Sequence, residues 1–410
     1  MANEMKDETT RLRKIIQMDA QLNKIQDLDI LLERILLEAR GAVGADAGTI
    51  YIKNEDKLDF KYSQNDTKQK MVPAGEKLIY SLFSVDITRH SIAGYVADTG
   101  EIVNIPDCYN IPDGSPFGFD ESFDKISKYK TTSMLVFPLI TNTGETLGVL
   151  QLLNALRPDT SSRAFDSVDE LFAEHFAANA AIALQRAQMT RAILLRMNSM
   201  AEMRDPGETA AHVNRVGSYA VEIYERWAHH HDVEERKRER TRDIFRMVAM
   251  LHDVGKVGIS DVILKKPAAF TQEERDVMET HTIMGAKLFQ DNKSEFDDIA
   301  AEVALTHHEW WDGTGYPGHL DLGTEDSEKL FKQVRKNPRE GSEIPLFGRI
   351  VSVADVFDAL FSRRVYKKAW SEKDVLEELK KSSGTQFDPE VIEIFFEILP
   401  HLMQIRKRYP

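Results

Sequence analysis

The stretch HHEWWDGTGYP, residues 307–317, sets two adjacent histidines four residues ahead of a turn built from Asp312, Gly313, Thr314, Gly315, Tyr316 and Pro317. A single histidine is more often packed or solvated than bound to a metal, so the reading rests on what surrounds this pair. Upstream, AMLHDVGKVGISD (249–261) places His252 and Asp253 at the end of an apolar helix, with Gly255 as its terminator. Adjacent helical positions point about 100° apart, so these two side chains converge on one ion only at the mouth of a pocket. Glu208 and His212 in GETAAHVNRV (207–216) are spaced i, i+4 and share a helical face. His281 in METHTIMG (278–285), with Asp355 and Asp358 in VSVADVFDAL (351–360), extends the set of imidazoles and carboxylates, which contains no cysteine. Such donors suit iron, manganese, nickel or zinc and argue against a structural cysteine-rich zinc site.

The chain is 410 residues long and 42% hydrophobic, enough for two or three domains with real cores. Residues 4–40 carry apolar positions at helical spacing (Leu12, Ile15, Ile16, Leu22, Ile25, Leu28, Leu32, Ile35) and stop at Gly41 and Gly44. From 48 to 155, short runs such as GTIYIK, KLDFKY, EIVNI, SMLVFPLI and TLGVLQLLN alternate with turn formers and predict an antiparallel sheet. Residues 166–203 return to a helical pattern without proline or glycine and predict a connecting rod. Beyond DPGE (205–208) the chain is mostly helical and holds most of its twelve histidines. The expected architecture is α+β and multidomain. It comprises an N-terminal helix at 1–26, an antiparallel-sheet domain at 27–187, a connecting helix at 166–204 and an all-α domain at 205–410.

A net charge of -14 disfavours nonspecific binding to duplex nucleic acid, so an anionic substrate needs a local cationic site. One cysteine, Cys108, excludes an intramolecular disulfide, and MANEMKDETTRLRK at the start offers no apolar stretch for a signal peptide. No run approaches the roughly 18 apolar residues that cross a bilayer. These features predict a cytoplasmic chain without membrane insertion.

From about Glu208 to Phe395, the segments HVNRV, LHDVGKVGISDVIL, KPAAFTQEE, METHTIMGAKL, HHEWWDGTGYPGHL, IPLFGRIVSVADVFDAL and FDPEV follow in order. This succession resembles the HD-GYP family, the hydrolytic subgroup of the HD superfamily that opens cyclic dinucleotides. The resemblance implies that the Gly315-Tyr316-Pro317 loop borders the substrate cleft. It assigns His212, His252, Asp253, His281, His307, His308 and Asp355 to a metal centre, with Glu208 holding a third ion as in some members. Hydrolysing a phosphodiester at neutral pH needs nucleophilic water and neutralised phosphoryl charge. Two ions about 3.5–4 Å apart supply both, with Asp253 as the expected bridging carboxylate. The implied cofactors are two or three divalent ions, iron or manganese ahead of zinc or nickel. Lys256, one turn from Asp253, is implied to act with it in catalysis by donating to a phosphate oxygen or the attacking hydroxide. Arg364 and Lys367 in SRRVYKKAW (362–370) match positions that hold the substrate phosphates, and Tyr316 is placed to stack on a base or orient the loop. Two departures stand out. The charged segment 319–342 is longer than the family's usual link and could be a lid, a partner-binding loop or a tolerated surface excursion, and Val365 replaces a customary proline. The HHH at 229–231 reads as a solvent-facing helix end.

The sheet domain resembles a GAF domain, a small-molecule sensor fold. SIAGYVADTGEIVNIPDCY, MLVFPLITNTGETLGVLQLLN and FDSVDE are similar to the GAF domains of cyclic nucleotide phosphodiesterases and adenylyl cyclases. Asn154, Phe165, Asp169 and Glu170 match their characteristic run, whereas Ala155 stands in place of its lysine. The resemblances together imply metal-dependent hydrolysis of cyclic di-GMP to linear pGpG, and onward to GMP, under control of a GAF ligand such as a cyclic nucleotide. The alternatives are hydrolysis of 3',3'-cyclic GMP-AMP, or a catalytically weak receptor for cyclic dinucleotides. Phe172, Phe176, Ala183, Leu184, Ala187, Leu194 and Met197 on the long helix are expected to pair with a second chain in a parallel homodimer.

Overall fold

The computed structural model describes residues 18, 20, 22–72, 84–157, 159, 161–202, 210–266, 268–290, 294–323, 331–361 and 370–409. Glu208, Arg364 and Lys367 lie outside the described residues, as do Val365 and most of the N-terminal helix expected at 1–26. The chain falls into two compact units, Met1–Thr190 and Arg191–Pro410.

The first unit is built on an antiparallel sheet of β1 (Ala45–Asn54), β2 (Lys57–Asn65), β3 (Ser84–Asp86), β4 (Val103–Ile105), β5 (Met134–Ile140), β6 (Thr146–Leu156) and β7 (Ser162–Arg163). The strands run in the order β3-β2-β1-β6-β5-β4, with β7 paired to β6. The apolar run of β5 shows why. Successive strand side chains point to opposite faces, and both faces of this sheet are covered. Leu135, Phe137 and Leu139 pack under the Leu28–Val43 helix and the first half of the Ser167–Glu202 helix. Met134 and Val136 pack with Ile92, Val96, Phe60 and Cys108 on the other side. Asp27 caps the Leu28–Val43 helix by accepting from the Asp29 and Ile30 N–H groups, and Gly44 ends it in the left-handed region at φ 68°.

The residues that match the cyclic-nucleotide-type run hold this unit together. Asn154 Oδ1 accepts from the Thr132 N–H at 2.7 Å and the Ser133 N–H at 3.2 Å. Arg163 pairs with Asp169, and Glu170 accepts from Asn104 at 2.6 Å.

The long helix revises the expected partner-facing set. Phe176, Ala183, Leu184 and Ala187 are buried in the sheet unit's own core with Phe172 packed against it, and Leu194 joins the core of the second unit. Only Met197 of the seven is exposed. The apolar excess is satisfied mainly within the chain because small alanines let the helix lie close against the sheet.

In the second unit, helices Ala210–His230, Glu235–Ala249, Glu295–Thr306, Leu346–Phe361, Glu372–Lys381, Pro389–Glu397 and Leu399–Arg408 share one core, with Tyr219, Phe245, Phe357 and Phe395 fully buried. Here Gly255 has a different role from the terminator expected of it. The preceding helix already ends at Ala249, and Gly255 sits in the 3-10 turn Val254–Gly258. A Cβ there would stand 1.9 Å from the His281 carbonyl oxygen and 2.4 Å from the Gly285 nitrogen, so glycine is required by close approach. No described helix is long and apolar enough to cross a membrane. Gly255→Ala should therefore cost about 1–3 kcal/mol through overpacking. Chemical denaturation of the full chain checks this, and an unshifted midpoint would contradict the tight contact.

Candidate metal centre

Five segments deliver the site. His212 comes from the Ala210–His230 helix, and His252 and Asp253 from the turn after Ala249. His281 opens the short helix His281–Lys287, His307 and His308 follow the Glu295–Thr306 helix, and Asp355 lies within Leu346–Phe361. Their donor atoms gather in two groups: Asp253, His281, His307 and His308, and beside them His212, His252 and Asp355. Asp253 faces both. Its Oδ1 lies 3.1 Å from His281 Nε2 and 3.5 Å from His307 Nε2, while its Oδ2 lies 3.4 Å from His252 Nε2. Asp355 Oδ1 stands 3.5 Å from His212 Nε2 and 3.9 Å from His252 Nε2.

Hydrogen bonds on the far side of each ring decide which nitrogen faces inward. His252 Nδ1 meets the Ala249 carbonyl at 2.8 Å, and His281 Nδ1 the Met278 carbonyl at 2.7 Å. His307 Nδ1 reaches the Val303 and Ala304 carbonyls at 3.0 and 3.1 Å. A carbonyl oxygen only accepts, so Nδ1 carries the proton and the neutral ring presents the Nε2 lone pair to the centre. His212 Nδ1 is held instead by Asp358 at 2.7 Å. Among the described residues, Nε2 of His281 and His307 and Oδ1 of Asp253 are buried without a hydrogen-bond partner. Buried polar atoms in that condition are costly unless a ligand satisfies them, and imidazole nitrogens converging with carboxylates are what a divalent cation satisfies.

The electrostatics keep the donors in their binding forms. Burial alone would raise the Asp253 carboxyl, but the Lys256 ammonium beside it holds it well below the usual carboxylate range. Burial, with His307 and His281 alongside, pushes His308 well below the ordinary imidazole value, and burial likewise lowers His307. Lys256 places its Nζ 2.7 Å from Asp253 Oδ2.

The glycine-rich turn packs directly on this cluster. The Tyr316 N–H donates to the His308 carbonyl at 3.1 Å, and its ring lies 4.8 Å from the His308 ring. A Cβ on Gly315 would fall 2.2 Å from the Trp310 nitrogen, and the Tyr316–Pro317 peptide is cis.

Two further carboxylates, Asp358 and Glu309, are buried beside these residues. Asp358, 1% exposed, accepts from His212 and from Arg215 at 2.6 and 2.9 Å. Arg215 also donates to the Tyr409 carbonyl at 2.8 Å. The signal in sequence is faint: Asp358 follows Asp355 by three, and Arg215 follows His212 by three. Glu309 accepts from the Gly318 N–H at 2.7 Å, and burial pushes its carboxyl up to about 7.

Because Asp358 sets the tautomer and angle of His212, Asp358→Ala should weaken metal binding on the His212 side by about 10–100-fold. A titration of the metal-depleted protein with Mn(II) or Zn(II) measures it, and unchanged affinity would remove Asp358 from the centre.

Residues 209–360 match the family model described as HD domain, residues 337–391 match a second HD domain model, and residues 27–184 match the GAF domain. A 3'3'-cGAMP-specific phosphodiesterase 2 of Vibrio cholerae is 36% identical over 203 residues, 50% of this chain and 34% of that protein. A cyclic di-GMP phosphodiesterase of Vibrio cholerae is 38% identical over 210 residues, 50% of this chain and 39% of its own length. One from Thermotoga maritima is 36% identical over 216 residues, 52% and 50% respectively. The chain thus spans half or less of the length of these relatives. Along the chain, a GAF domain match at 27–184 is thus followed by an HD domain match at 209–360.

Proposed function

We propose that the HD domain is a metal-dependent phosphodiesterase that opens cyclic di-GMP to the linear dinucleotide. The observation that carries this reading is Asp253, whose two carboxylate oxygens face two separate groups of imidazole donors. In this reading His281, His307 and His308 would hold one divalent ion and His212, His252 and Asp355 another, with Asp253 placed between the two groups. Imidazoles with carboxylates suit iron, manganese, nickel or zinc, and Glu208 is the residue proposed to admit a third ion. Such ions supply Lewis acidity and make water nucleophilic at neutral pH. The chain's own contribution is placement. Hydrogen bonds at Nδ1 of His212, His252, His281 and His307 turn Nε2 of each ring inward, Lys256 offers an ammonium one turn from Asp253 to a phosphoryl oxygen or to the nucleophile, and Tyr316 presents a ring for a base. Arg364 and Lys367 are the proposed phosphate contacts. The activities for which the relatives are named support the substrate class. Because one of them is named for 3'3'-cGAMP, that dinucleotide is the second substrate to test.

Turnover of purified, metal-analysed protein on cyclic di-GMP and 3'3'-cGAMP is the direct experiment. Asp253→Ala should lower turnover by at least about a hundredfold and reduce bound metal, since one substitution removes a ligand from two ions. Full metal content with retained turnover would sink the assignment, and metal binding without turnover by the wild type would favour a receptor.

The GAF domain, on this proposal, takes a small molecule that regulates turnover, and the chain acts as a parallel homodimer. The helix Ser167–Glu202 supports the dimer through residues other than those its sequence suggested. Leu171 (57% exposed), Ile182 (53%), Met189 (66%), Ile193 (45%) and Met200 (63%) stay open, with Ala178 also exposed. Steps of 7, 4, 7, 4 and 7 between 171, 178, 182, 189, 193 and 200 keep them on one line of the helix, the 11-residue pattern of paired rods. Ile182→Glu combined with Met189→Glu should convert a dimer to a monomer in sedimentation at micromolar concentration. A wild-type monomer under those conditions would refute the pairing.

A further inference from the structure

The charged insertion at 319–342 does more than cover surface. Its Leu320, Leu322, Phe331 and Val334 pack on Ile283, Ala286 and Leu305, behind the helix that begins at His281. Its return segment then lies along the glycine-rich turn. The Arg335 N–H donates to the Pro317 carbonyl at 2.9 Å, the His319 N–H to the Asn337 carbonyl at 2.7 Å, and the Gly341 N–H to the Trp311 carbonyl at 2.9 Å. Gly318, at φ 86°, leaves no room for a Cβ, which would stand 2.3 Å from the Asn337 oxygen. The two strands of chain are laced together from 311 to 341.

Arg335 is the centre of this lacing. Its guanidinium makes two parallel hydrogen bonds to Glu279, both at 2.8 Å, and donates to the Thr314 carbonyl at 2.7 Å. The same group lies over the Tyr316 ring, 5.1 Å from its centroid. Arg335 itself adopts φ 62°, a left-handed conformation uncommon for a residue with a side chain. Glu279 is 3% exposed and stands two residues before His281. One planar cation therefore joins the segment that carries His281 to the turn that carries Tyr316. Lysine could not replace it, having neither a bidentate fork nor a flat face.

We propose that Arg335 is a positioning residue that fixes the Tyr316 ring at the mouth of the metal centre, and that the insertion exists at this site to supply it. The inference rests on the reading of the centre as a cyclic dinucleotide hydrolase in which Tyr316 faces a base. Arg335 touches neither donor atoms nor reacting atoms. Its loss unfastens the ring from which a base takes its orientation and leaves the ion-binding side chains in place. A small diester that carries no purine has little use for that ring.

The test compares Arg335→Gln and Arg335→Lys with the wild-type full-length protein in two measurements. In the first, kcat and KM are determined for cyclic di-GMP and for bis(p-nitrophenyl) phosphate, with metal content assayed on each sample. Both variants should lose about tenfold or more in kcat/KM on the dinucleotide, mainly through KM, while the small diester changes much less and metal content holds. Equal losses on both substrates, or loss of metal, would make Arg335 a structural support of the centre and overturn the proposal. Full rescue by lysine would show that charge alone suffices and overturn it as well. The second measurement is the 19F NMR spectrum of protein labelled with 3-fluorotyrosine, the Tyr316 resonance being assigned by its absence in Tyr316→Phe. This resonance should shift and broaden in both variants, and an unmoved one refutes the positioning role. The spectrum needs no turnover, so it decides the role of Arg335 even if cyclic di-GMP proves not to be the substrate. Should Arg335→Gln fail to fold, Arg335→Lys carries both measurements.

Discussion

Three backbone carbonyls set the chemistry of the second unit. Ala249, Met278 and Ala304 lie in the last turn of three different helices, and each receives an Nδ1–H from the histidine three residues on. Carbonyls at a helix end point out along the axis, where a side chain beyond the terminus can reach them. His252, His281 and His307 thus each use the carbonyl three residues back, just beyond the ends of three helices, and their Nε2 atoms face Asp253. His212 is held differently, its Nδ1 meeting a side-chain carboxylate. Asp358 and Arg215 take over the task there, a buried carboxylate made tolerable by a guanidinium.

This arrangement explains what a reader of the sequence could and could not find. The donors themselves are legible because their residue types and order are unusual together, and the seven described ones converge. The partners that orient them are less so. Arg215 and Asp358 are 143 residues apart, and nothing local in either stretch announces the other. Glu309 looks like one more charged residue after two histidines, and only the fold reveals that it is buried beneath the Gly318 N–H.

The same distinction holds for the sheet unit and the long helix. Strand runs and the absence of proline and glycine from 166 to 203 are patterns with a period, and the observed β5, β6 and Ser167–Glu202 follow them. Which apolar face of that helix is already covered is not a periodic property. Alanines and leucines that cover the sheet read the same as residues awaiting a second chain, so the expected set largely went into the core while another line remained exposed. The function of the insertion was hidden likewise, since its lysines, arginines and glutamates resemble any solvated loop until Arg335 is seen between Glu279 and Tyr316.

The meeting of Gly255 with Gly285 bears on ion choice. Two residues without side chains allow main chain to rest on main chain, so the turn that carries Asp253 and Lys256 is wedged against the helix that begins with His281. The span between that carboxylate and that imidazole is therefore gauged by peptide groups, which are far stiffer than rotatable side chains. Accommodating a cation of larger radius would require the two segments to part, against contacts that have no slack. If the centre holds ions as proposed, so rigid a calliper would sort them by size, against the wide, irregular coordination that calcium prefers.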